Sequence, residues 1–273
     1  MDIQSTRKMN DGLEIPVLGF GTYKIRQGDD TFEAALHALK TGYRHIDTAA
    51  MYGNEAGVGR AVRESGIPRE EIFITTKVWN SDQGYEPTLR AFDESLAKLK
   101  MDYVDLYLIH WPVSGKRTDT WKALQNLYST GRAKSVGVSN FTIRHLDELA
   151  DNFESTPAVN QVEFHPWLYQ RDLLNYCKKN GILLEAYSPL VRAKKFGEPG
   201  LKQIAEKYGK TEAQILIRWS IQHGAVPLPK STHKSRIEEN ADIFDFEIDM
   251  EDMIKLDDFD EGYRITWDPS DVD

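Results

Sequence analysis

Four side chains that can carry or stabilise a proton follow the ends of three predicted strands. Asp47 closes a short buried strand, and Tyr52 lies five residues later on the loop that follows it. Lys77 ends the next predicted strand, and His110 ends the one after that. Because barrel enzymes hold their reacting groups at the carboxyl ends of the strands, we expect these four side chains to converge.

The residue types suggest a proton donor. A tyrosine has an ordinary pKa of about 10, so acid or base work near neutral pH needs a drop of about three units, or about 4 kcal/mol. An ammonium about 4 Å away contributes a similar amount at an effective dielectric constant of about 20. We therefore expect Lys77 to lower the pKa of Tyr52, Asp47 to keep Lys77 charged, and His110 to orient a carbonyl. This is the polar half of a carbonyl reduction, and the hydride requires a cofactor.

The other predicted strands also end in polar or aromatic residues. Three aromatic residues, Tyr23, Trp79 and Trp111, follow strand ends, and we expect them to wall an apolar substrate pocket together with Tyr52 and His110. The remaining strand ends carry Gly21-Thr22, Ser139-Asn140, Gln161, Tyr187-Ser188 and Lys230-Ser231-Thr232.

The elements that must position these groups alternate between strand and helix. Residues 3–17 predict a hairpin that turns at Asn10-Asp11-Gly12. Short apolar runs then predict eight strands, at residues 18–21, 45–47, 72–77, 104–110, 133–138, 158–162, 182–187 and 225–228. Amphipathic patterns predict helices at residues 32–39, 54–65, 87–99, 120–129, 142–150, 170–179, 201–207, 211–222, 234–241 and 250–257.

This alternation predicts the fold class. Buried apolar runs, rather than alternating polar and apolar residues, are typical of parallel strands covered on both faces. Eight strand-helix units without a linker predict an α/β protein with a (β/α)8 TIM barrel. We expect one domain over residues 1–273, with an N-terminal β-hairpin and an extra C-terminal helix.

Composition narrows the class of partners. The chain has 273 residues and a net charge of −9, with fifteen acidic and two basic residues between Glu238 and Asp273. No helix carries a basic stripe, and no apolar run approaches a membrane span or signal peptide, so we expect no nucleic-acid or membrane partner. The single cysteine, Cys177, fits a reducing compartment, and we expect a cytoplasmic protein. The histidines lack metal-ligand spacing, so we expect no metal site.

Four stretches resemble the signature blocks of the aldo-keto reductase family. They are GYRHIDTA at 42–49, LIHWP at 108–112, GVSNF at 137–141 and PKS at 229–231, and they match in order and spacing over essentially the whole chain. The resemblance implies a (β/α)8 barrel that reduces aldehydes and ketones with NADPH, usually as a monomer. It makes Tyr52 the general acid, tuned by Lys77 and Asp47, with His110 orienting the carbonyl.

The resemblance also implies a cofactor site. Ser139, Asn140 and Gln161 match residues that hold the nicotinamide amide, and Tyr187 matches the ring on which the nicotinamide stacks. Further matches are Ser188 and Leu190 at the pyrophosphate, Lys230, Ser231 and Arg236 at the 2′-phosphate, and Glu239 and Asn240 at the adenine. We also expect Gly21, Thr22, Tyr23, Asp47 and Thr232 to contact the cofactor. Lys230 and Arg236 are cations in an acidic region, which favours NADPH over NADH.

Short loops distinguish the chain from longer members of the family. The segments 111–118 and 191–200 are brief, and only Tyr263 and Trp267 follow Gly262 as residues that can cover a pocket. This resembles the compact, mostly microbial branch that includes 2,5-diketogluconate and methylglyoxal reductases, and it suggests small polar carbonyl substrates.

Two other functions use the same residues. One is an NADPH-binding barrel with a sensor or structural role, which loss of Tyr52 or Lys77 would favour; both residues are present. The other is a lyase with Lys77 as a Schiff-base nucleophile. Neighbouring Tyr and Asp side chains fit proton transfer better, and a lyase leaves the predicted 2′-phosphate clamp unexplained.

Overall fold

The computed structural model describes residues 1–272. An antiparallel hairpin of β1 (Thr6–Lys8) and β2 (Glu14–Pro16) precedes a parallel sheet of eight strands. In chain order these are β3 (Phe20–Gly21), β4 (His45–Asp47), β5 (Phe73–Val78), β6 (Val104–Ile109), β7 (Ala133–Ser139), β8 (Val159–Glu163), β9 (Leu183–Tyr187) and β10 (Val226–Leu228). Each predicted strand is confirmed, with ends that differ by at most two residues.

The first and last strands of the sheet close it into a barrel. The Gly19 N–H donates to Pro227 O at 3.0 Å, and the Gly21 N–H donates to Pro229 O at 3.1 Å. A Cβ at Gly21 would lie 2.9 Å from Leu228 O, so this closure needs a residue without a side chain. The predicted TIM barrel with an N-terminal hairpin is therefore confirmed.

Ten α-helices surround the barrel within residues 1–272. They are α1 (Asp29–Thr41), α2 (Glu55–Glu64), α3 (Tyr85–Leu99), α4 (Arg117–Ser129), α5 (Ile143–Asn152), α6 (Arg171–Lys179), α7 (Pro199–Tyr208), α8 (Glu212–Gln222), α9 (Lys234–Ala241) and α10 (Met250–Asp257). None of them is both long and apolar enough to cross a membrane. All predicted helices exist, and α10 is the extra C-terminal one.

Several predicted helix starts are wrong by a few residues. The helix α3 begins at Tyr85 rather than Pro87, because proline is tolerated within a first helical turn and does not have to open it. The helix α4 begins at Arg117 rather than Thr120, since the Thr120 N–H already donates to Lys116 O at 2.9 Å, as in a helix that began one turn earlier. Other predicted first residues, such as Thr142 and Thr211, are N-caps, and their side chains form capping boxes just outside the helices.

The parallel register sets the level of each side chain inside the barrel. Asp47 on β4 pairs with Gly21 on β3 and Thr75 on β5, while Gln161 on β8 pairs with Glu185 on β9. Residues two apart on a strand face the same side, so His45 lies one layer below Asp47. The carboxyl ends of the strands therefore bring Asp47 and Gln161 together at one mouth of the barrel.

Candidate active site

A buried ion pair forms the base of the site. Lys77 Nζ donates to Asp47 Oδ1 at 2.8 Å and to Oδ2 at 2.7 Å, and it also donates to Thr48 O at 2.8 Å. Lys77 is fully buried and Asp47 is 3% exposed. Removing either partner would leave a buried charge uncompensated, which costs about 3–5 kcal/mol.

The tyrosine of the site lies against this ion pair. Lys77 Nζ is 3.5 Å from Tyr52 Oη, and Tyr52 follows β4 on a 3-10 turn, residues Ala50–Tyr52. Burial, reinforced by the charge of Asp47, raises the pKa of Tyr52 well above 10. The expectation of a lowered pKa is therefore wrong, because it counted the ammonium and left out burial and the neighbouring carboxylate. Tyr52 holds its proton at neutral pH.

The histidine of the site is electrically neutral. Burial, followed by the positive charge of Lys77, lowers the pKa of His110 well below 6.5. Its ring packs edge-on against Tyr52 at 5.6 Å and against Trp79 at 5.1 Å between centroids. A neutral imidazole in this position can donate one hydrogen bond without competing with Tyr52 as an acid.

These groups open into a cleft of about 850 Å³ at the carboxyl end of the barrel. This size is within the range of pockets that hold small molecules and cofactors. The structure brings most of the predicted site residues into it, namely Gly21, Tyr23, Asp47, Tyr52, Trp79, His110, Trp111, Ser139, Asn140, Gln161, Tyr187, Ser188, Leu190, Lys230, Ser231, Arg236, Glu239 and Asn240.

Three predicted residues do not line the cleft. Lys77 is buried behind Asp47 and Tyr52, which suits a residue that acts on Tyr52 rather than on a ligand. Thr22 is also buried, and its hydroxyl donates to Asp47 O at 2.9 Å. Thr232 is exposed on a neighbouring surface depression beside Lys24 and Lys234.

Some residues that line the cleft were not predicted from the sequence. Met51, Arg192, Phe196 and Thr266 also line the cleft, and they come from loops and the C-terminal segment. Trp267 lines it as expected, with its ring 5.5 Å from that of Trp111. Tyr263 was also expected to cover the pocket. Its ring instead lies beneath the Lys195 ammonium, and its backbone N–H donates to Trp167 O. No pattern signalled the loop residues, because their contacts arise only when the barrel closes.

Amide and hydroxyl groups form a polar strip along one side of the cleft. Asn140 Nδ2 donates to His110 O and to Ser139 Oγ, and Ser139 Oγ donates to Gln161 O. Asn140 Oδ1 accepts from Tyr187 Oη at 2.7 Å. These bonds use the donors internally, so the strip offers mainly oxygen acceptors to a ligand, which fits an amide N–H group.

Two cations also line the cleft. Lys230 and Arg236 are both exposed, and neither forms an ion pair within residues 1–272. Partial burial lowers the pKa of Lys230. Unpaired cations at a strand end and in the first turn of α9 suit a phosphate group, which an arginine can bind through two parallel hydrogen bonds.

Comparison with known proteins places this geometry in a family. The aldo/keto reductase family model matches residues 17–196 and 197–261. Glyoxal reductase of Bacillus subtilis is 52% identical over 270 residues, covering 99% of this chain and 98% of that protein. The crystal structure of an aldo/keto reductase from Brucella melitensis superposes with a TM-score of 0.91 at 50% identity, covering 94% of this chain and 99% of that one.

A structure solved with a cofactor is also similar. The Bombyx mori aldo-keto reductase in complex with NADP has a TM-score of 0.90 at 37% identity, covering 96% of this chain and 94% of that one. Identity of about half over nearly the whole chain, together with the family match, confirms the resemblance inferred from the motifs. The chain belongs to the aldo/keto reductase family.

Proposed function

We propose that the protein reduces small aldehydes and ketones with NADPH and that Tyr52 gives the proton. The observation that carries the proposal is the contact of Tyr52 Oη with Lys77 Nζ at 3.5 Å, beside a neutral His110 and at the wall of the cleft. The acceptor strip and the unpaired cations suit the amide and phosphate ends of NADPH. When bound, NADPH supplies the hydride.

The raised pKa of Tyr52 suits the direction of reduction. A phenol that keeps its proton at neutral pH is ready to donate it to an alkoxide, which is a stronger base than the phenolate left behind. Lys77 stabilises that phenolate as it forms, since the ammonium already lies within 3.5 Å. His110 donates a hydrogen bond to the carbonyl oxygen and orients it toward Tyr52.

The wall of the cleft around Tyr52 and His110 is largely aromatic, and the Lys24 ammonium lies 5.5 Å from the centroid of the Tyr23 ring. Trp79, Trp111 and Trp267 line the cleft with Tyr23, and Trp267 is 68% exposed. We propose small aldehydes, ketones and dicarbonyls as substrates, because an open aromatic wall accepts varied small groups. The identity of 52% to a protein named glyoxal reductase supports the inclusion of dicarbonyls.

Replacement of the phenol tests the assignment. Tyr52→Phe should lower kcat for a panel of small aldehydes, ketones and dicarbonyls at least a thousandfold, because no other acid lies at this position, while NADPH affinity stays within about threefold. Tyr128→Phe, at an exposed tyrosine of α4, is the matched control. Retained turnover in Tyr52→Phe would contradict the role of Tyr52. Wild-type protein that binds NADPH but reduces no carbonyl would favour the sensor alternative.

We also propose that the chain is a single cytoplasmic domain and a monomer. One continuous eight-stranded sheet supports the single domain, and a single buried cysteine, Cys177, supports a reducing compartment. Size-exclusion chromatography with light scattering should give a mass near 31.2 kDa. A mass of twice that value would exclude the monomer.

A further inference from the structure

A second acidic side chain lies inside the barrel beside Asp47. Glu185 on β9 is fully buried, directly opposite Gln161 in the strand register. Gln161 Nε2 donates to Glu185 Oε2 at 2.9 Å and to Asp47 Oδ2 at 2.8 Å. A primary amide nitrogen carries two hydrogens, so these two carboxyl groups use both of them.

This arrangement determines which atom of Gln161 faces the cleft. Gln161 Oε1 makes no hydrogen bond within residues 1–272, although Gln161 lines the cleft. Turning the amide over would place this oxygen against Asp47 Oδ2, an oxygen of the Asp47–Lys77 ion pair, and deprive that buried acceptor of the Gln161 N–H, at a cost of about 1–3 kcal/mol. Asp47 therefore sets the orientation of the amide, and Glu185, by accepting its second N–H, holds the oxygen toward the ligand.

We propose that Glu185 is a positioning residue for the cofactor, acting through Gln161: it accepts one N–H of the Gln161 amide and so keeps the Gln161 oxygen in place as the acceptor for the N–H group of the nicotinamide amide. The proposal rests on the proposed use of NADPH and adds a residue to that site. Glu185 itself does not line the cleft, so any effect on the ligand passes through Gln161 or Asp47.

The charges around Glu185 agree with this role. Burial, followed by the charge of Asp47, raises its pKa to about 8, against opposing effects of Gln161 and Lys77. His45 Nε2 lies 3.7 Å from Glu185 Oε1, and burial lowers the pKa of His45 to about 3, so this imidazole is neutral. At neutral pH a protonated Glu185 still offers a carbonyl oxygen to Gln161 and does not repel Asp47. A glutamine can therefore replace it.

Cofactor binding without turnover tests the proposal. Tryptophan fluorescence titrations at pH 7 would compare NADPH with its reduced 3-acetylpyridine analogue, in which a methyl ketone replaces the amide and its N–H group. Glu185→Met should weaken NADPH about two- to tenfold, the range of one hydrogen bond, and change the affinity for the analogue less than twofold. Glu185→Gln should retain wild-type affinities for both. Equal losses for the two cofactors, or no loss, would overturn the proposal.

A double variant separates positioning from a general structural effect. If Glu185 acts through Gln161, then Glu185→Met should cause no further loss of NADPH affinity in a Gln161→Met background. An additive loss would show that Glu185 acts by another route. If Glu185→Met does not fold, as judged by circular dichroism, Glu185→Gln remains decisive, since a loss confined to NADPH in that variant contradicts a neutral acceptor role. Failure of the wild type to bind NADPH would instead contradict the proposed function.

Discussion

At the scale of single residues, the environment of Tyr52 shows why residue types alone do not predict a pKa. Lys77 lies where a tuning cation was expected, yet burial and Asp47 raise the pKa of Tyr52. The same burial lowers the pKa of His110. Tyr52 thus keeps its proton and His110 stays neutral, which suits the proposed division of roles between an acid and a hydrogen-bond donor.

Substitution of Arg236 tests whether the cleft binds the 2′-phosphate of NADPH. Arg236 is exposed and has no acidic partner within residues 1–272, so a 2′-phosphate would gain a charge-assisted bond without breaking another. Arg236→Ala should weaken NADPH binding about tenfold or more and NADH binding less than twofold, as measured by fluorescence titration. Arg90→Ala, at an exposed arginine of α3 outside the cleft, is the control. Equal losses for both cofactors would rule out a 2′-phosphate contact.

At the scale of elements, the C-terminal segment 262–272 completes the cleft. Buried Glu163 on β8 accepts hydrogen bonds from Ile265 N at 2.8 Å and Thr266 N at 3.1 Å. The Thr266 hydroxyl also bonds Glu163, and it lies 2.9 Å from Tyr187 Oη. The segment that carries Trp267 is therefore attached directly to two barrel strands.

Removal of the Thr266 hydroxyl should loosen this attachment. Thr266→Val keeps the shape of the side chain but loses the hydrogen bond from the hydroxyl to Glu163, so Trp267 is held less firmly at the mouth of the cleft. We expect KM for small aldehydes to rise about two- to tenfold with kcat within twofold. Thr266→Ser retains the hydroxyl and should behave as the wild type. An unchanged KM in Thr266→Val would show that this attachment does not shape the substrate site.

At the scale of the whole molecule, barrel closure buries several titratable groups in the interior. Glu185 has a folded-state pKa of about 8 against an ordinary value of 4.5, so the folded protein holds a proton that the unfolded chain releases between these pH values. The stability that this group contributes is fully present below pH 4.5 and is lost as the pH rises through 8. His45 acts in the opposite sense, but only between about pH 3 and 6.5.

Measurements of unfolding between pH 6.5 and 8 separate the effect of Glu185 on stability from that of His45. From pH 6.5 upward the free energy of unfolding of the wild type should fall relative to that of Glu185→Gln by about 1.4 kcal/mol per pH unit at first, and about half as steeply at pH 8, where half of the folded protein has released the proton. Urea unfolding at pH 6.5, 7, 7.5 and 8 measures both slopes, and groups common to the two proteins cancel in the difference. Parallel curves would show that Glu185 does not carry a proton in the folded state.

Local patterns in the sequence predict the architecture and most of the residues of the candidate site. Apolar strand runs, helix periodicity and the residue types at strand ends predict the barrel, and they predict Asp47, Tyr52, Lys77 and His110 as neighbours. These features can be read from short stretches of the sequence. The parallel register of a barrel then brings all of the strand ends to one mouth, so the residues at those ends become neighbours. Helix starts were less certain, since residues such as Thr142 and Thr211 cap helices instead of opening them.

The contacts that depend on packing between residues far apart in the chain are visible only in the tertiary structure. Glu185 attracts no notice in the sequence, and its proposed role arises because β8 and β9 place it opposite Gln161 in the buried interior. The attachment of Thr266 joins residues about one hundred positions apart in the chain. The direction of the Tyr52 pKa also depends on burial, which no local pattern measures. Desolvation and long-range register are properties of the closed barrel rather than of any stretch within it.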